Sequence, residues 1–509
     1  MKRKAIYTLA LAPILAAAGC TDGFFEANRS GGSLTAEELS RDNYGVGSFL
    51  VQLQNAAFPM QENSYQHNID LIGSQCGRHM ANAHNSFANN NFPLMTAPDS
   101  WVREPFASQR VSVQSAWLTL QTLVEPGSIP HSWGLVLRAA TLLRLTDMYG
   151  PMVVGADADN PDAYTSQEQI YRLLMGDIDQ ALRGLLPVTT MESYDNVYGG
   201  DFAKWIRYAN SLKLRMAIRA RFADPEWARQ KGEEAIAAGV IETNEQNAAI
   251  AYTPNGLYKV SVDWGDSRAC ADLESYLRGY SDPRLQRFFS PCSDYMMRYT
   301  SREYRGLRAG ANVTDKESAD NRHSAARVAQ GDRGVYMTAA EMEFCKAEAA
   351  LLGWAGAGSA KEHYENGIRL SFDQWGAGSA AAYIANSTAK PANYDDDGFG
   401  FSTTVTAPTD ITIAWEDGDT QERKLERIIT QKWIALFPEG QEAWNEIRRT
   451  GYPKVFPLAR ASSNGLQVPN RIPFPYDQPT INPENFQHAL TLLGGPDDYA
   501  TRMWWQRNN

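Results

Sequence analysis

The chain has 509 residues, 43% hydrophobic and 21% charged, enough to bury one large core or two to three smaller ones. Its formal charge is −11, and cutting away residues 1–19, which hold three positive and no negative charges, takes it to −14. A surface of that sign repels nucleic acid and polyanionic glycans and favours neutral or cationic ligands, so no nucleic-acid partner is expected.

Lys2, Arg3 and Lys4 precede an apolar run from Ala5 to Ala18. That run falls short of the ~20 residues a spanning helix needs and reads as a secretory signal. Ala17, Ala18 and Gly19 lead into Cys20, an order that resembles the bacterial lipobox, although Ala17 stands where such signals usually carry leucine. Cleavage there leaves a lipidated Cys20, and a lipid worth ~0.8 kcal/mol per buried methylene holds a protein on a membrane without a spanning helix. The alternative is ordinary cleavage with Cys20 as a plain thiol. Residues 1–19 are thus the expected signal and 20–34 the tether, leaving 35–509 as a single folded domain. Asp22 and Glu26 fit an acidic export tag only loosely.

Four Ser/Thr-x-x-Glu patterns mark helix starts: Thr35 with Glu38, Thr165 with Glu168, Thr338 with Glu341, and Ser359 with Glu362. Apolar residues at helical spacing predict helices over 132–148, 166–185, 201–222, 225–238, 338–352, 360–375, 422–437 and 441–449. One stripe, for example, joins Trp205, Tyr208, Ala209, Leu212 and Met216, with Lys204, Arg207, Lys213 and Arg219 off it. The helices fall into hairpins 132–185, 201–238, 338–375 and 422–449. Small residues at close-approach points suggest a degenerate tetratricopeptide-type repeat, although no strict ~34-residue period survives. The expected fold is all-α, a curved scaffold of helical hairpins with long irregular loops.

Those loops are 60–108, 244–268, 290–334 and 376–418, the last after a short helix near Ala380. Segments this long are usually functional. The chain's 23 Tyr and 13 Trp include several in them, and aromatic faces are what sugar rings stack on. Ligand contact is therefore expected of Tyr65, His67, Asn68, Asp70 and Trp101 in the first loop, and of Trp264, Tyr295 and Tyr299 in the middle ones. Loop packing is the competing role for each aromatic. Cys270 and Cys292 enclose a loop that a disulfide could close, while Cys345 reads as a buried thiol.

Metal signals are weak. Cys76, His79 and His84, with His67 nearby, match no zinc spacing. Asn393, Asp395, Asp397 and Gly398 imitate the start of a calcium loop, but its twelfth position is Thr404 and not the bidentate Glu, so a solvated acidic loop is preferred to a calcium site. No cofactor is expected. No G-x-S-x-G, H-E-x-x-H or P-loop occurs, and nothing singles out a carboxylate pair among the 59 acidic residues, so no catalytic residue is assigned.

The string QKWIALFPEGQEAWNEIRRTGYP, at 431–453, resembles the C-terminal signature of the SusD/RagB-like outer-membrane lipoproteins. Further similar strings are DMYGPMV at 147–153, YTSQEQIYRLLMGDIDQAL at 164–182, GGDFAKWIRYANSLKLRMAIR at 199–219, GSAKEHYENGIRLSF at 358–372 and the terminal TRMWWQRNN. They resemble the subgroup with a tetratricopeptide-type helical core. The resemblance implies an all-α protein without enzymatic activity, anchored in the outer membrane by its N-terminal lipid and facing outward. It also implies a ligand held by loops, an oligosaccharide or a peptide, and a SusC-like TonB-dependent β-barrel transporter as partner. A surface glycoside hydrolase and a protein-only helical scaffold are the alternatives.

Overall fold

The stripe Trp205, Tyr208, Ala209, Leu212 and Met216 lies wholly in the core. The computed structural model describes residues 43–155, 159–298, 302–396 and 403–507, with Val46–Asn509 forming one compact unit. The scaffold helices are α1 (Ile129–Tyr149), α2 (Gln167–Gly184), α3 (Phe202–Ala220), α4 (Pro225–Ala238), α5 (Ala339–Leu351), α6 (Ala360–Gln374), α7 (Gln421–Ala435) and α8 (Gly440–Thr450). Each follows its apolar periodicity. α1 starts ahead of its stripe because Ser128 caps it and Pro130 opens the first turn. Thr338 and Ser359 cap α5 and α6 as expected, their hydroxyls accepting from the N–H of Glu341 and Glu362. At α2 the cap is Ser166, which accepts from Gln169 N, while Thr165 belongs to a short strand. The pattern at Thr35 lies outside the described residues.

α1 packs on α2, α3 on α4 and α5 on α6 as antiparallel hairpins. The expected fourth hairpin is looser. α7 packs chiefly on α5, and α8 leaves it to lie against a helix the periodicity did not show. That helix runs from Glu62 to Tyr65 and continues as a wider π-helical turn, Gln66–Ser74. It occupies what reads as loop in the sequence. The two helices meet backbone to backbone: a Cβ on Gly440 would stand 2.2 Å from Ser74 Cα, and one on Gly73 2.7 Å from Gln441 N. Gly440→Ala therefore forces this contact apart, and a loss of roughly 1–3 kcal/mol is expected in denaturant unfolding. An unchanged midpoint would contradict the packing.

Strands are few and short. Met80–Asn82 pairs antiparallel with Ser267–Ala269, with Met80 opposite Ala269. Ala248–Ile250 pairs with Gly334–Met337. These clips fasten irregular segments to one another. The Cys270–Cys292 pairing that the sequence left open does not form: both are buried free thiols, with Cys270 Sγ donating to Asp272 at 3.2 Å and Cys292 Sγ to the Arg302 carbonyl at 3.4 Å. Cys345 is buried, as read.

Candidate functional site

The strand pair at Met80–Asn82 carries the chain into a short turn at His84. Asn82 brackets it, accepting from His84 N and donating to His84 O. The Ser86 N–H donates to His84 Nδ1 at 3.1 Å, which leaves Nε2 to carry the proton of the neutral ring. That nitrogen lies 4.0 Å from Asp266. The ring stacks on Phe87 with centroids 4.4 Å apart, and Phe87 meets Trp101 edge-on at 4.9 Å. His67 and Phe92 flank Trp101 at 6.3 and 6.4 Å. His67, His84, Phe87 and Trp101 are each half-buried, so the cluster is an aromatic face with an accessible side.

Its electrostatics are mild. Burial pushes both His67 and His84 below the usual histidine range, so both rings are neutral at pH 7. At the edge, Asp266 accepts from Gln66 Nε2 at 2.9 Å and from Lys316 Nζ at 2.6 Å. A face of neutral rings beside one compensated carboxylate suits stacking of an uncharged polar ligand better than capture of an ion.

The sequence-named residues divide. His67 and Trp101 belong to this face. Trp264, half-buried under Lys259 Nζ at 5.2 Å, lies two residues before Asp266 in the chain and stacks on none of the rings of this face. Tyr65 is buried and faces a separate cavity. Asn68 and Asp70 are not on an open loop at all. They sit fully buried on the Gln66–Ser74 helix, where Asn68 Nδ2 donates to Ser64 O and Glu104 Oε2, and Ser267 Oγ donates to Asp70 at 2.6 Å. Burial raises the Asp70 carboxyl to about 7. Tyr295 is half-buried on the short helix Ser293–Met296, and Tyr299 and Cys20 lie outside the described residues. His84 enters the sequence reading only in the weak metal group with Cys76 and His79, and Phe87 not at all. Their only signal in the sequence is an aromatic pair inside an Asn-rich stretch.

Among the described residues no three His, Cys, Asp or Glu side chains are placed to hold a metal. Cys76 is a buried thiol, and buried His79 pairs through Nε2 with the Trp433 carbonyl at 2.9 Å. In the calcium-like stretch Thr404 Oγ1 donates to Asp395 at 2.7 Å, and Asp397 and Gly398 are outside the described residues.

The family model for SusD-like proteins, the SusD and RagB outer-membrane lipoproteins, matches residues 26–506. The chain belongs to the SusD/RagB family. A SusD homologue from Bacteroides uniformis shares 33% identity over 92% of this chain and 100% of its own, with a TM-score of 0.85. One from Bacteroides ovatus shares 32% over 91% and 99%, with a TM-score of 0.86. A chitin-binding SusD homologue from Flavobacterium johnsoniae shares 32% over 91% and 99%, with a TM-score of 0.85. No curated protein matches the chain. SusD/RagB proteins are outer-membrane lipoproteins that bind nutrients at the cell surface. No helix among the described residues is long and apolar enough to cross a membrane.

In this SusD/RagB chain the family signature at 431–453 makes no part of the aromatic face. Its charges are internal. Lys432 Nζ donates to Glu446 at 2.8 Å, and Arg449 holds Glu348 of α5 through two hydrogen bonds and Glu446 through a third. Arg219 of α3 bridges Asp147 of α1 to Glu442 of α8. These pairs tie helices of different hairpins together.

Proposed function

We propose that this protein is a non-catalytic nutrient-binding lipoprotein of the outer surface. It binds an uncharged oligosaccharide on the face of His67, His84, Phe87 and Trp101 and passes it to a TonB-dependent β-barrel. The carrying observation is that face: neutral rings, half-open and held on clipped segments of a rigid scaffold. Membership of a nutrient-binding family and the likeness to a chitin-binding homologue support it. Cys20 carries the lipid, residues 1–19 are the removed signal, 20–34 the tether, and 35–509 the binding domain.

The test is calorimetric titration of the purified protein against panels of neutral oligosaccharides and oligopeptides, with each mixture assayed for cleavage. Saturable binding of a glycan without products is expected. Trp101→Ala is expected to weaken it roughly tenfold, the scale of one lost stacking ring with its buried area. Released products would overturn the non-catalytic reading. A peptide as the only ligand would overturn the glycan.

A further inference from the structure

Tyr65 opens onto a cavity of about 360 Å³, none of whose lining residues belongs to the aromatic face. Tyr65, Phe288, Tyr336, Trp375 and Phe437 build its walls. Most polar groups there are already engaged. Arg333 donates to the carbonyls of Asn196, Val197 and Ala249. Asn255 donates to Asp332 O and accepts from Tyr258 N, and the Tyr336 hydroxyl donates to Pro59 O.

Glu439 is different. It lines the cavity, is only 8% exposed, and its Oε1 is buried with no hydrogen-bond partner. Burial, helped by nearby Glu442, raises its carboxyl to about 8, so at pH 7 it is a neutral acid that can both donate and accept. In the adjoining wall the Trp375 indole N–H is also buried without a partner.

Size, charge and hydrogen-bonding capacity together define what fits. An apolar cavity of ~150 Å³ is enough to hold benzene, so this one has room for a substituted ring. The exposed Arg327 and Arg333 stand in the lining with one exposed carboxylate, Asp332, and Arg144 and Arg215 share a smaller cavity with Glu439 on its other side. That disposition disfavours a cation. A sugar ring would bury several hydroxyls where the wall's buried unpartnered groups are one carboxyl oxygen and one indole N–H, and each unpaired hydroxyl counts against binding.

We propose that this cavity is a second binding pocket, for an uncharged, mainly apolar group with a single hydrogen-bonding function, such as the aryl or acyl substituent of a larger nutrient, seated on the aromatic walls and hydrogen-bonded to Glu439. It stands independently of ligand capture on the aromatic face.

The probes are benzamide, benzoate and benzylammonium, which share a ring and differ in charge, titrated into the purified full chain at pH 7 with ligand-observed NMR. Benzamide is expected to bind saturably and at least about tenfold tighter than either ion. Leu257→Trp, which fills the cavity, should abolish that binding. Glu439→Gln, neutral and of the same shape, should keep it, whereas Glu439→Leu should weaken it about tenfold. If Glu439→Leu does not fold, the Leu257→Trp and Glu439→Gln arms decide. Either ion binding tightest, benzamide binding that survives Leu257→Trp, or no benzamide binding by the folded wild type would each overturn the proposal.

Discussion

Arg219→Met is expected to cost about 3–5 kcal/mol of unfolding free energy, the range for leaving a buried ionic partner uncompensated. Arg219 is 1% exposed, between Asp147 at 0% and Glu442 at 6%. Methionine keeps most of the volume but none of the donors, so buried Asp147 loses its ion pair and Glu442 is left with Arg215 as its cation, at 3.6 Å. Tyr171 and Trp505 also donate to Asp147 Oδ1, at 2.6 and 2.8 Å, so the loss is felt in α1, α2, α8 and the C-terminal segment together. The matched control is Glu168→Gln, which breaks a half-exposed pair with Arg172 on the surface of α2. That change should cost under ~1 kcal/mol. Denaturant midpoints for both variants check the contrast. Equal losses would mean that the buried network does not hold the hairpins together.

This network also explains why the signature was readable while its role was not. Lys432, Glu442, Glu446, Arg448 and Arg449 look like a solvated face when the two helices are considered alone. Their partners, Asp147, Arg219 and Glu348, lie at sequence separations of up to 301 residues, and only the fold brings them inside. The reverse happened at Gln66–Ser74. Gln66, Asn68 and Asp70 interrupt any apolar stripe, so the segment reads as loop, yet Asp266, Glu104 and Ser267 supply the hydrogen bonds that let it be buried as a helix. Elements whose core face is apolar, such as Trp205 to Met216, carry their signal locally. Elements whose core face is polar do not, because the compensation is non-local. The binding face shows the same division. Trp101 and His67 stand out by residue type, but that His84 and Phe87 complete the face follows from the Met80–Asn82 strand pairing, which a three-residue strand does not announce.

Asp70 gives the second large effect, and its sign is unusual for a carboxylate. Its folded-state value, about 7, lies above the ordinary 3.8, chiefly because it is buried and also because Asp266 faces it. The hydrogen bond from Ser267 opposes that rise without cancelling it, and Tyr65 is another titratable neighbour. The folded protein therefore holds this proton more tightly than the unfolded chain does. The stability Asp70 contributes is complete below pH ~4, declines as pH rises through 7, and is flat above that. The displacement from 3.8 to about 7 corresponds to up to ~4 kcal/mol. Asp70→Asn removes the titration while keeping an oxygen to accept from Ser267. It should match the wild type near pH 4.5 within ~1 kcal/mol and exceed it by several kcal/mol at pH 8. Denaturant unfolding at the two pH values decides. Parallel stability curves would mean that Asp70 is solvated or ionised in the folded protein, and a wild type more stable than the variant at pH 8 would reverse the sign. Because this carboxyl lies on the same helix as His67 and three residues from it, neutralisation at Asp70 would also show whether the aromatic face is held by the buried helix beneath it. Trp101→Ala should weaken ligand binding without moving this pH dependence, whereas Asp70→Asn should move it and leave the stacking contribution in place.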